Sequence, residues 1–310
     1  RRDYGPATLK YRLYEGDGAD ECDTFDLRTS QNYSWAIDGV AGHYDTLVQE
    51  VFCRETLGAL GQPTTRSRYY HLYLNGQYWG LYETQERPEE AYGETYLGGK
   101  KEDYDVIKSA NHPGAFVTEA SDGNLDAFRA LWSMARAVAA NPADSNYFAI
   151  LGRTADGTRN PALPVLLEAD NLIAYMLVIF YTGDGDAPLS WFINFERSNN
   201  WFGLRNRNNR EKGFVFFNHD AEHTLSAPFS QFDRTGPYVR ANQNDFTYAN
   251  PEWIHQDLMA NAEYRLRFAD RVQRHVFNGG ALTPEAGTNR FLRKAAQIDK
   301  AIRAYSARWG

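Results

Sequence analysis

The sequence predicts an α+β fold of two lobes: a β-rich N-terminal lobe with one helix over residues 1–110, and a mainly helical C-terminal lobe over residues 111–310. Three observations carry this. The first third of the chain alternates apolar and polar residues at a period of two, interrupted by one stretch at helical spacing. Asn75-Gly76 stands between two aromatic-rich alternating runs, a hairpin signal because a type I′ turn needs positive φ at both central positions. From residue 124 onward the apolar residues recur at helical spacing instead.

Taken in order, LKYRLYE (9–15) and TFDLRTS (24–30) read as strands separated by a Gly/Asp-rich turn. Residues 44–59 read as a helix. Leu47, Val51, Phe52 and Leu57 share one face, Glu50 and Glu55 lie elsewhere, and Gly58 and Gly61-Gln62-Pro63 end it. The hairpin YYHLYLNGQYWGLYETQE (69–86) follows, then a short strand YDVIKS (104–109). The lobe boundary is expected at Asn111-His112-Pro113-Gly114. Residues 124–140 and 168–182 read as apolar-faced helices, and 252–276 and 284–308 as longer ones with Arg-rich polar faces. Between the helices, 183–250 is irregular and polar, with a strand opening near Asn199-Asn200 and a buried strand at Phe214–Phe217. No internal repeat is visible.

The composition bounds the function. With 310 residues, 43% hydrophobic and 15% aromatic, the chain has material for a substantial core. A formal net charge of -7 and the lack of any Lys/Arg block argue against a nucleic-acid partner. The longest apolar run, around Leu172–Tyr181, is about half of the roughly 20 residues a membrane helix needs, so no membrane span is expected. No leader-like segment opens the chain, which reads as a piece of a longer protein, so the compartment does not follow from it. Cys22 and Cys53 lack the spacing of a zinc site; they read equally as a disulfide or as two core thiols.

Three polar stretches are candidates for chemistry. In GDGDAP (183–188), glycines let the backbone present Asp184 and Asp186 at the end of a buried helix, although spacing alone is better read as a solvated Asx turn. In SNNWFGLR (198–205), Asn199 and Asn200 open a strand, where asparagine is usually turn chemistry. The third is FVFFNHDAEHTL (214–225), an apolar strand running into Asn218, His219, Asp220, Glu222 and His223. H-D-A-E-H after a strand is not the helical H-E-x-x-H of zinc proteases. In an extended chain Asp220 and Glu222 point the same way, a hard-oxygen pair suited to Mg²⁺, Mn²⁺ or Ca²⁺ rather than zinc. An aspartate after a helix, then an asparagine, then an aspartate closing a strand is the order used in phosphoryl transfer, and the expected lobes match it.

With these residues in hand, the chain resembles the CotH kinase family, the spore-coat protein H relatives, which are atypical protein kinases. The resemblance rests on LNGQYWGLYETQERPEEAY (74–92), EDYDVIKS (102–109), GDGDAPLSW (183–191), NNWFGLR (199–205) and FVFFNHDAEHTL (214–225), and spans about residues 8–305. It implies a two-lobed, kinase-like fold and an ATP- and Mg²⁺- (or Mn²⁺-) dependent phosphotransferase of a secreted or cell-surface kind. Asp186 matches the aspartate facing the phosphate acceptor. Asn200, with Asn199 beside it, matches the metal-binding asparagine, and Asp220 the metal aspartate, while Glu86, which closes the hairpin motif, is expected with Lys108 to bind the nucleotide. Glu222 stands where the family has the second aspartate of a D-x-D, and Asp186 and Asn200 are fourteen residues apart, beyond the conventional kinase spacing. Lys108, Lys10 and Arg28 are the candidates for the phosphate-contacting cation, with Lys108 favoured. Pro188 restrains the residue before it and so directs the segment after Asp186, whereas Asp184, between two glycines, has little to fix it. The acceptor, a protein or a small molecule, stays open. Transfer of AMP or an amino acid by the same fold is an alternative. So is a non-catalytic surface module binding glycan or protein through Tyr69, Tyr73, Tyr78 and Trp79.

Overall fold

A computed structural model describes residues 5–29, 35, 46–112, 115–225 and 233–310. Its first sheet has the order β1–β3–β2, all antiparallel, from β1 (Phe25–Arg28), β2 (Ser67–Leu74) and β3 (Gln77–Glu86). Asn75 and Gly76 take φ of 50° and 80°, as the hairpin reading required. Helix α1 (Gln49–Ala59) lies between β1 and β2 in sequence and packs against the helical part of the molecule. In the register of β1 on β3, Arg28 stands opposite Glu83.

A single turn α2 (Glu90–Tyr92) and a short π-helical turn (Gly93–Leu97) lead to a second antiparallel sheet, ordered β5–β4–β6–β7. Its strands are β4 (Tyr104–His112), β5 (Ala115–Asp122), β6 (Trp201–Asn206) and β7 (Val215–Asn218). The remaining helices are α3 (Asp126–Ala140), α4 (Asp144–Ile150), α5 (Ala169–Thr182), α6 (Pro251–Leu258), α7 (Ala262–Val276), α8 (Pro284–Ile298) and α9 (Ile302–Trp309). The result is the two-lobed, kinase-like α+β architecture.

Helix α5 is the axis of the main core. Leu172, Ile173, Tyr175, Met176, Val178 and Ile179 are fully buried against Phe214 and Phe216 of the β7 segment and residues of α1, α6 and α7. At about 1.5–3 kcal/mol per buried large apolar side chain, this helix is firmly held in the core. Whatever follows its C-terminus inherits that rigidity. The last helix, α9, returns to the first sheet, where Trp309 Nε1 donates to the Trp79 carbonyl (2.8 Å) and the two indoles meet edge to face.

Several expectations need correction. Residues 9–15 form no strand; Leu9 makes one bridge to Cys22, and Tyr11 is exposed. Of the expected lobe boundary, Asn111 and His112 end β4 and Pro113-Gly114 lie outside the described residues; the chain passes from the first sheet to the second between Glu86 and Tyr104. The two long C-terminal helices are each broken. Asn261 caps α7 by accepting the Tyr264 N–H and so divides 252–276, while 284–308 parts between α8 and α9. The two cysteines stand as free thiols, but only Cys53 is a core thiol, Cys22 being partly exposed. Among the described residues no helix is long and apolar enough to cross a membrane.

Candidate active site

Helix α5 ends at Gly183, whose left-handed conformation (φ 66°) turns the chain out of the helix while its N–H still reaches Ile179 O (3.0 Å). The GDGDAP loop then lies against the turn that follows β7. Gly185 N–H donates to His223 O (3.1 Å) and Leu225 N–H to Thr182 O (3.0 Å). Two stretches some forty residues apart in sequence are thus one backbone-bonded unit.

Within it, Asp186 is mostly buried with a small opening to solvent. One carboxylate oxygen accepts the Ser190 hydroxyl, and the other accepts Asn200 Nδ2 at 3.0 Å. His223 Nε2 lies 4.0 Å away. Burial raises the Asp186 carboxyl above its ordinary range, opposed by hydrogen bonds from Ser190, Asn199 and Asn200. Asp184 departs from expectation. It is 1% exposed, and its Oδ1 accepts the Asp186 N–H (3.0 Å), so it braces its neighbour rather than swinging free. Burial pushes the Asp184 carboxyl well up.

Asn200 sits immediately before β6 and Asp220 two residues after β7, both with φ of 52°. After Asn218 the chain turns instead of continuing extended, so strand alternation does not set where Asp220 and Glu222 point. Asp220 Oδ1 is bound by Arg28 Nη2 of β1, and the Asp220 N–H donates to Glu50 Oε1 of α1 (3.0 Å). Glu50 also faces Arg28 Nε (3.6 Å) and accepts Arg54 Nη2 (2.7 Å). Burial alone would raise the Glu50 carboxyl; Arg28 and Arg54 beside it hold it far below the usual carboxylate range. Asp220 is raised by burial, with Arg28 opposing. Glu222 is 2% exposed, 3.8 Å from His223 Nε2, and within electrostatic reach of Arg28. His219 packs edge-on against Phe202 and His223 against Phe192; burial lowers them to about 3 and about 4, as neutral rings.

The structure therefore brings Asp186, Asn200, Asp220 and Glu222 into one region and adds Arg28, Glu50 and Ser190. It does not bring Lys108 or Glu86 into these contacts. Lys108 pairs with Glu119 on the neighbouring strand (3.8 Å) and faces the Phe202 ring. The Glu86 carboxylate is taken up by Arg66 N–H (2.8 Å), Arg66 Nη1 (3.1 Å) and the Tyr96 hydroxyl. The cation beside the carboxylates is Arg28, because β1 lies next to α1 and the β7 turn while β4 sits inside the second sheet. Glu50, expected off the apolar face of its helix, is buried as the link between Arg28, Arg54 and the Asp220 backbone. Its spacing of four from Arg54 was the signal available in sequence; nothing in the sequence marked Ser190.

Among the described residues no group of three or more His, Cys, Asp or Glu converges as a self-sufficient metal cage. Mg²⁺ does not need one, since it is commonly held by one or two carboxylates together with substrate phosphates and water. The donors fit that pattern: Asp220 keeps Oδ2 after Oδ1 is engaged by Arg28, and Asn200 keeps its carbonyl oxygen after Nδ2 is engaged by Asp186. Of the aromatics that suggested a binding surface, Tyr69 donates to Leu47 O and Trp79 packs on Trp309, while Tyr73 is 59% exposed.

In comparisons with known proteins, a family model described as CotH kinase protein matches residues 35–310. No curated protein matches the chain.

Proposed function

The chain belongs to the CotH kinase family, and on that premise we propose that it is an ATP- and divalent-metal-dependent phosphotransferase whose catalytic groups lie on the 183–200 and 219–225 segments. One observation carries this reading. Arg28 from β1, Glu50 from α1, Asp220 after β7, and the Asp186–Asn200 pair come from distant parts of the chain and are linked by direct contacts or by the backbone bonds joining the two loops. Phosphoryl transfer needs a cation for the phosphates, an oxygen-donor set for the metal and a carboxylate for the acceptor hydroxyl, arranged in line.

In this reading Asp186 orients the acceptor hydroxyl. Its two oxygens are held by Ser190 and Asn200, which fixes the direction of the carboxylate before an acceptor arrives. Asn200 and Asp220 would hold Mg²⁺ or Mn²⁺, with Glu222 as a further oxygen donor behind them. When bound, the metal would neutralise charge on the phosphates. Arg28 is the phosphate-facing cation, and Glu50, anchored by Arg54, keeps it directed toward the Asp220 side.

The test is incubation with ATP and Mg²⁺ or Mn²⁺, followed by mass spectrometry of the protein and of added acceptors. A gain of one phosphoryl group is expected. A gain of one adenylyl group would move the reaction to AMP transfer. No modification, together with no thermal shift by ATP and metal, would overturn the enzyme reading.

A further inference from the structure

Beneath the GDGDAP loop lies a buried cation that none of these roles uses. Arg234 is 2% exposed. Its Nη2 donates to the carbonyl oxygens of Ala187 (2.8 Å) and Leu189 (3.4 Å) and lies 3.2 Å from Glu252 Oε2 on the first turn of α6. The guanidinium carbon is 4.9 Å from the Phe195 ring centroid and 5.3 Å from that of Tyr238, and those rings stack on each other at 4.3 Å. Glu252 is 1% exposed. Asp184 is close enough for its charge to act on Arg234.

Burying an ion pair is weak as a source of stability, because desolvation offsets much of the attraction, and an apolar pair of similar volume often does as well. The useful property of this arginine is geometric. Its planar guanidinium lies against the Phe195 and Tyr238 rings, which fixes the direction in which Nη2 meets the two carbonyls and the carboxylate; a lysine ammonium has no such plane to be held by. The two carbonyls it holds flank Pro188, and the first belongs to the residue directly after Asp186. The Asp186 carboxylate is held by Ser190 and Asn200, its N–H by Asp184, and the segment directly after it by Arg234.

We propose that Arg234 is the positioning residue for Asp186, clamping residues 187–189 onto the start of α6 so that the carboxylate emerges in one direction. The proposal rests on the reading of Asp186 as the acceptor-facing group. It does not require Arg234 to touch nucleotide, metal or acceptor. Loss of the clamp therefore affects the chemical step and leaves nucleotide binding alone.

The test compares wild type with Arg234→Lys in three measurements: ATP-dependent turnover, Mg–ATP affinity by calorimetry, and hydrogen exchange of the backbone amides of 183–191 against those of α5. Because small misplacement of a reacting group is costly, the expected result is a fall in kcat of about tenfold or more, affinity within about twofold, and exchange about tenfold faster in 183–191 alone. Unchanged kcat in a folded variant overturns the proposal, as does exchange that rises evenly across the helical lobe. If wild type itself does not turn over ATP, the phosphotransferase reading fails, and the exchange measurement alone decides the clamp: local loosening supports it, none overturns it. Should Arg234→Lys not fold, Arg234→Gln carries the same comparison.

Discussion

Replacing Arg28 by methionine decides between the cation favoured by the sequence and the one favoured by the structure. Arg28 Nε stands 3.6 Å from Glu50 Oε2, and Nη2 contacts Asp220. At an effective dielectric of ~20, the first separation alone corresponds to about 4–5 kcal/mol of attraction, part of which is returned as desolvation. Glu50 keeps Arg54 in the variant, so the loss of stability should sit at the low end for a broken buried pair, about 3 kcal/mol, or roughly 6–12 °C in Tm. If Arg28 meets the nucleotide phosphates, removing a charged hydrogen bond costs about 1.5–3 kcal/mol of binding, roughly 10- to 150-fold in Kd. Lys108→Met is the control. Its ammonium makes a partly exposed pair with Glu119 at 3.8 Å, worth ~0–1 kcal/mol, so its affinity for Mg–ATP should stay close to wild type. Calorimetric titration with Mg–ATP and thermal unfolding of both variants give the answer. Wild-type affinity in a folded Arg28→Met protein, or a large loss in Lys108→Met, would refute the assignment and return the phosphate contact to the second sheet.

Asp186→Ala should abolish turnover with nucleotide affinity retained, and Asp184→Ala should cut turnover while also lowering stability by about 1–3 kcal/mol, since it strands the buried Asp186 N–H. Full activity in Asp186→Ala, measured as ATP turnover, would show the roles to be wrong. Asp220→Ala should lose the metal-dependent part of ATP binding, by roughly tenfold or more (about 1.4 kcal/mol) in calorimetry with and without Mg²⁺; wild-type affinity would remove Asp220 from the metal set. His255 is buried against Tyr264 OH (2.8 Å), and burial lowers it to about 3, so below its ordinary 6.5 the unfolded chain takes up a proton that the folded state excludes. Stability should therefore fall with pH below about 6.5, by up to about 1.4 kcal/mol per unit, and His255→Gln should flatten that slope in urea unfolding at pH 7 and 5. An unchanged slope would count against it. Thiol titration should find Cys22 reactive in the native protein and Cys53 only after denaturation; a count of zero after unfolding without reductant would reveal a bridge.

The sequence by itself determined the parts of this protein that are written locally. The Asn75-Gly76 hairpin needs two positive φ values, which Asn and Gly supply, and it formed, with one register shift between Leu72 and Tyr73. The apolar α5 could only be buried, and the polar residues that end it and that follow Phe214–Phe217 had to sit at the edge of that core. That Asp186, Asn200 and Asp220 border this core was legible for this reason: each stands close to the end of a strong element. Tertiary structure decided everything that depends on which elements lie side by side. Lys108 and Arg28 both read from sequence as basic residues near the ends of short strands, and nothing local distinguishes them; the pairing of β4 with β5 and β6 places Lys108 mid-strand beside Glu119, while β1 beside α1 gives Arg28 to Glu50 and Asp220. Asp184 looked loose between its glycines because what fixes it is burial and the Asp186 amide. Glu50 looked solvated because an i, i+4 pair with arginine is common on exposed helix faces, and only the approach of the β7 turn makes it a buried link. Local patterns set the backbone dihedrals and the apolar faces, whereas a charge acquires its role from groups far away in sequence that the packed fold brings within a few ångströms.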